Sequence, residues 1–184
     1  MIYLGYAFLV VLSFVFMEGV AWFSHKYVMH GFLWSVHKDH HVPTGHAVQK
    51  NDLFSLIFAI PAWLFTMFGV MDGLDYKLYI GIGITLYGIA YVLVHEGLIH
   101  QRIAFLRKTQ NPYLLALKRG HAAHHKHLGK EDGECFGMLW VSLKYLKGPN
   151  EKSATPQRSI FKRFRRPSEL TKNRPPQPHQ NPQH

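Results

Sequence analysis

The run IYLGYAFLVVLSFVFMEGVAWF, residues Ile2 to Phe23, holds one ionisable side chain that is charged at neutral pH, Glu18, and ends two residues before His25. A helix needs roughly 20 apolar residues to cross a hydrocarbon core, so this run is long enough to span. Two further runs, Leu53 to Met71 and Leu78 to Val94, have the same character, and the third leads straight into His95. The first run has no basic segment before it and is too long for a simple signal-peptide core, so it is expected to persist in the mature protein. Three spanning helices are therefore predicted, and histidines begin where two of them end.

Charge is sorted along the chain rather than spread over a face. Residues 1–25 contain no Lys or Arg, whereas residues 101–184 hold seventeen against five acidic residues. The loop Asp72 to Lys77 carries one basic residue and the segment Lys26 to Lys50 carries three. Because Lys and Arg beside a span are held on the cytoplasmic side, the expected topology places the N-terminus outside and the C-terminus on the cytoplasmic side of the membrane. With three crossings, every histidine-rich segment then emerges on one face. The net charge of +10 is thus read as membrane sorting, not as nucleic-acid binding.

Fourteen histidines are present, twelve of them between His25 and His127. Ten form a doubled pattern: His25-x4-His30 followed by His37-x2-His40-His41, then His95-x4-His100 followed by His121-x2-His124-His125. On a helix turning about 100° per residue, positions i, i+3 and i+4 share one face, so each HX2HH cluster can point at one object. The x4 pairs lie roughly 140° apart on an α-helix, wide enough to straddle two metals or to contact one each. One closed zinc site consumes four ligands and a catalytic one about three, so ten clustered imidazoles suit two ions with four or five nitrogens apiece. A single cysteine, Cys135, leaves no thiolate site within the chain. Imidazole itself suits Zn, Cu, Fe and Ni alike. His46 and His127 fall outside the pattern, and His179 and His184 belong to the tail; none of these four is expected to bind metal.

Other polar residues bear on the same centre. Glu18 sits seven residues before His25 and hence on nearly the same helix face, which suggests that it orients an imidazole from behind; the other reading is a protonated carboxyl hydrogen-bonded within the bundle. Asp39 and Glu96, inside the clusters, are candidates for the same work. Asn51 and Asp52 read as an N-cap for the second span. Arg102 is placed against an electron donor or a lipid phosphate. Asn111 to Arg119 and Cys135 to Leu146 look like short amphipathic helices lying on or capping the site. The membrane domain is drawn as residues 1–147 and a basic, Pro- and Gln-rich tail, expected to be disordered and weakly drawn to anionic lipid, as residues 148–184.

The four boxes, His25-Lys-Tyr-Val-Met-His30, His37-Lys-Asp-His40-His41, His95-Glu-Gly-Leu-Ile-His100 with Arg102, and His121-Ala-Ala-His124-His125, resemble those of bacterial β-carotene 3-hydroxylases in the fatty acid hydroxylase superfamily. The resemblance covers most of residues 1 to about 140, including Asn51-Asp52-Leu53 and Glu134 to Leu139; the long tail departs from it. It implies an all-α integral membrane fold and a non-haem centre of two iron ions held by the ten histidines. It also implies O₂ as co-substrate and electrons from a soluble ferredoxin with its reductase. The implied reaction is hydroxylation of ring carbon 3 at both ends of β-carotene, through β-cryptoxanthin to zeaxanthin. Rivals are a fatty-acyl or sterol oxidase of the superfamily and, in another class, a histidine-rich metal carrier. A carrier would place its ligands near mid-membrane, not at the span ends.

Overall fold

The computed structural model describes residues 2–42, 48–103 and 109–147. His46 and the tail from residue 148, including His179 and His184, lie outside the described residues. Those described are helical, with no strand among them. Helix α1 spans Ile2–Phe23, α2 Trp34–His41, α3 Leu53–Met71, α4 Tyr76–Ala90 and α5 Pro112–His124. Three rods are long and apolar enough to cross a membrane: Ile2–Phe32, Lys50–Met71 and Tyr76–Ile99. The fold is thus the all-α integral membrane architecture expected, with the third span starting two residues earlier and running five residues further than its apolar run suggested.

Helix α4 is the central rod, packed along both α1 and α3, which have no extended contact with each other. Small residues permit this close approach, as is usual where lipid supplies no hydrophobic drive between helices. A Cβ at Gly83 would fall 2.0 Å from Ser13 Oγ on α1, and one at Gly81 would fall 2.4 Å from Thr66 Oγ1 on α3. At the turn between α3 and α4, Gly73 takes a φ of +83°, the left-handed conformation that ends a helix at little cost to glycine. Towards the histidine end the three rods leave a cavity of about 780 Å³, lined by residues of α1, α3, α4 and the segment 136–138.

Two expectations need correction. Helix α5 does not stop at Arg119 but continues through His121 and His124, capped by the Asn111 side chain, which accepts from the Tyr113 and Leu114 amides, with Pro112 at its first turn. Cys135 to Leu146 forms no helix: it is an irregular strap with a single 3₁₀ turn, Leu143–Tyr145. Cys135 has a φ of +57°, and the amides of Met138, Leu139 and Trp140 are bonded to the Glu18 carboxylate instead of to carbonyls four residues back. A distant acceptor has replaced the helical ladder.

Candidate metal centre

Each HX4H pair is set by a π-helical continuation of a span, Ser24–Phe32 after α1 and Tyr91–Ile99 after α4, the second closed by His100 at its C-cap. Hydrogen bonds there join residues five apart, as from His100 N to His95 O (2.9 Å) and from Leu33 N to Val28 O (3.0 Å). Residues at i and i+5 are consequently brought together, where an α-helix would set them apart; such π segments are frequent at functional sites. At Gly31 the backbone leaves the helical region and turns the chain into α2. The x4 spacing therefore brings the two rings of each pair together, centroids 5.1 Å apart for His25 and His30 and 4.6 Å for His95 and His100, and does not splay them.

Nine of the ten patterned imidazoles fall into two groups, within each of which the nitrogens lie within 4.8 Å of one another: His25, His30, His37, His41 and His124 in the first, and His40, His95, His100 and His121 in the second. His125 lies between them, its ring 4.2 Å from that of His41 and 4.5 Å from that of His121. The HX2HH clusters are thus divided, against the expectation that each points at one object. His40 leaves its own cluster for the second group and His124 leaves its own for the first. His127, exposed, belongs to neither group.

The chemistry of the donors tests whether metal fits. In the first group His25 Nδ1 donates to the Phe136 carbonyl (2.9 Å), His30 Nδ1 to that of Leu128 (3.0 Å), His124 Nδ1 to that of Glu134 (3.1 Å) and His37 Nδ1 to Asn51 Oδ1 (2.6 Å). These bonds assign the proton to Nδ1 and leave Nε2 a lone pair. Yet His25 and His37 face one another Nε2 to Nε2 at 3.1 Å, and His30 and His124 at 3.2 Å. Two lone pairs so placed repel unless a cation accepts both, which is the arrangement a metal requires. In the second group His95 Nδ1 meets Glu96 at 2.7 Å, His100 and His121 approach Nε2 to Nε2 at 3.0 Å, and His40 Nε2 is buried with no hydrogen-bond partner among the described residues. Burial favours the neutral form, the one that ligates, at several of the rings: first by desolvation and then by neighbouring imidazoles, it holds His40, His100, His121, His124 and His125 well below the usual range, and His41 at about 2. His37 falls to about 3 by desolvation, against the opposing pull of Asn51.

The polar residues around the groups sort differently from their sequence reading. Glu96 does stand behind an imidazole, and Arg102 holds it from the far side at 2.6 Å while also clamping Asp52 at 2.9 and 3.0 Å. Arg102 is therefore turned inward, not towards a donor or a lipid. Asp39 accepts from no imidazole among the described residues; it accepts from the Lys50 amide (2.6 Å) and so fixes the turn Lys50–Asp52. That turn carries Asn51 to His37, a contact that sequence reasoning missed by reading Asn51 as a cap. Asp52 accepts from the Gln49 amide (3.0 Å) and so does cap the turn that runs straight into α3, from the third position of that turn and not from the N-cap itself. Glu18 accepts from the Tyr87 hydroxyl (2.7 Å) and the amides of the strap, not from a histidine. It acts on the centre only through the strap, whose Phe136 carbonyl holds His25. Phe136 also packs its ring against His25, His30 and His124 and helps to dry the first group.

Three apolar spans with two close-packed, buried imidazole groups at one end define an integral membrane protein whose donors suit a metal. A family model for fatty acid hydroxylases matches residues 10–146, a stretch that contains all ten patterned histidines. The chain belongs to the fatty acid hydroxylase family. It is 40% identical over 133 residues to a β-carotene hydroxylase of Pseudescherichia vulneris, covering 72% of this chain and 75% of that one. It is 38% identical over 141 residues to the β-carotene hydroxylase of Pantoea ananas, covering 77% and 80%. A chloroplastic β-carotene 3-hydroxylase of Haematococcus lacustris is 38% identical over 156 residues, which are 80% of this chain and 47% of that protein. No solved structure matches.

Proposed function

We propose that this chain hydroxylates ring carbon 3 of β-carotene, and then carbon 3′, giving β-cryptoxanthin and zeaxanthin in carotenoid biosynthesis. The observation that carries the reading is the cavity: it is walled by apolar side chains such as Met17, Phe58, Ile84 and Met138, and ends on His25, His37, His40, His95 and His121. An apolar substrate can leave the bilayer and meet the imidazole groups without crossing water. The names of the relatives narrow that substrate to a carotenoid.

Two iron ions held by the ten patterned histidines fit the donor set, with His125 completing the second group to five. When bound, such a pair supplies the reduction of O₂ and the attack on an unactivated C–H bond, with electrons from a ferredoxin-type donor and its reductase. The chain's own part is to position and to dry. Nδ1 donation to carbonyl and carboxylate oxygens fixes the ring planes, Glu96 with Arg102 and Asp52 anchors His95, and Phe136 shields the first group. The orientation we assign keeps the histidine face and C-terminus cytoplasmic. Lys77, the basic residue of the opposite loop, is paired with Asp72 and Asp75 and adds little to that side.

The test is expression in cells that accumulate β-carotene, followed by pigment chromatography. Hydroxylated carotenoids should appear with the native chain and vanish with His40→Ala at equal protein level. Unchanged β-carotene beside properly inserted native protein would sink the proposal.

A further inference from the structure

The strap Phe136 to Leu146 is neither a helix nor a surface loop in the ordinary sense. It is laid along α1 at the level of Glu18, five residues before that helix ends. Glu18 Oε1 accepts from the Met138 amide (2.8 Å) and the Trp140 amide (2.7 Å), and both its oxygens from the Leu139 amide (2.9 and 3.0 Å). The Tyr113 hydroxyl donates to the Leu139 carbonyl. Gly137 is required by this contact, since a Cβ there would lie 2.5 Å from Glu18 Oε1. Met138 is buried with Met17 and Tyr87, fixing the inner edge of the strap. Its outer edge is the reverse: Trp140 is 79% exposed and Leu143 74% exposed. The surface of α1 a turn to either side of Glu18 is of the same kind, with Val15 59% and Trp22 42% exposed.

We propose that residues 136–146 are seated in the bilayer at the histidine end of α1, with Trp140 and Leu143 among the lipid acyl chains, and that the Glu18 carboxylate is what allows them to sit there. Irregular backbone at membrane depth survives only if its polar groups are satisfied from within. Three consecutive amides bonded to one carboxylate meet that demand, and they account for an acidic residue inside a span. Lipid is the occupant because the apolar edge of the strap continues the lipid-facing surface of α1, while Lys147, exposed, and Lys144, paired to Glu134, follow it on the headgroup side. Since Phe136, Gly137 and Met138 also line the cavity, the strap is a wall between substrate and bilayer. The inference depends on the three spans and not on the proposed chemistry.

The experiment is nitroxide accessibility on the full chain in phospholipid nanodiscs, with single labels at Trp140→Cys and Leu143→Cys in a Cys135→Ser background. A label at Phe16→Cys serves as the lipid reference and one at Lys130→Cys as the water reference. Both strap labels should collide with O₂ as the Phe16 label does and be shielded severalfold from a water-soluble nickel chelate. Nickel accessibility equal to that at residue 130 would overturn the proposal, and so would dipolar broadening that reveals a second copy covering the patch. Glu18→Gln, which removes charge and keeps shape, should raise nickel accessibility at both labels severalfold; no change would refute the anchoring role. Because the native strap is probed directly, a folding defect in the Gln variant does not decide the outcome. Carotenoid turnover is not the readout, so this result and that of the pigment test can fail separately.

Discussion

The two imidazole groups differ in what stands behind them. In the first, His25, His30 and His124 are held by backbone carbonyls of the segment 128–136, and His37 by the amide of Asn51. In the second, His95 is held by a carboxylate that is itself gripped by Arg102, which spans to Asp52. The first group is thus neutral all round and depends on the course of a loop, whereas the second carries a charged relay of side chains. A carboxylate behind an imidazole raises its basicity as a ligand, so the two groups are inequivalent by construction. The exchange of His40 and His124 between the halves then ties them together: neither group is complete without the other half of the chain.

That exchange gives the largest expected effect. His40→Ala should empty the second group although His40 belongs to the first pair of boxes, and His124→Ala should empty the first. Each should cut hydroxylated product by more than about 100-fold, on the order of one lost metal site. Metal analysis after chelator washing should show about one equivalent lost in each case; loss from the same group in both variants would break the pairing. Next comes Glu96→Gln, expected to weaken metal retention by about 10- to 100-fold at the second group alone, measured by competition with a graded series of chelators. Equal weakening at both groups would mean that the relay does not set the asymmetry.

Acid should act on both groups, with a sign fixed by burial. Unfolded imidazoles take up protons near pH 6.5, whereas in the folded chain His37 waits until about 3 and His41 until about 2. Between those limits the unfolded state binds more protons, so the stability of the metal-free protein should fall as pH drops below about 6.5. Thermal unfolding across pH 7.5 to 4.5 checks this, and a flat profile would contradict the burial of the rings. The smallest effect expected is that of Asn51→Ala. It removes a short neutral hydrogen bond to His37, of about 0.5–1.5 kcal/mol net, and a longer 3.5 Å one to His40, and should loosen chiefly the first group, by about 2- to 10-fold. If it rivals Glu96→Gln, the contrast between neutral and charged backing is not the controlling one.

Much of the centre was legible because its signals are local. Apolar runs of spanning length and imidazoles at repeated spacings survive in a one-dimensional reading, and Glu96, adjacent to His95 in sequence, was visible for the same reason. Asn51 was misread because its partner lies on α2, fourteen residues away. Arg102 was misread because its two acidic partners lie on different elements. The backbone carbonyls of Leu128, Glu134 and Phe136 have no signature in side-chain chemistry at all. The strap was read as a helix from its amphipathic apolar positions, and only the approach of Glu18 shows that the amides of Met138, Leu139 and Trp140 are taken.

By itself, then, the sequence determined the three spans, the gathering of histidines at their ends and the nitrogen donors these offer, because each follows from periodicity, length and residue type. Tertiary structure alone decided which imidazole joins which group, how π-helical winding turns an x4 spacing into a shared face, and what lies behind each ring. Those outcomes depend on contacts between segments up to 111 residues apart, as between His25 and Phe136, and no local pattern encodes a distance of that kind.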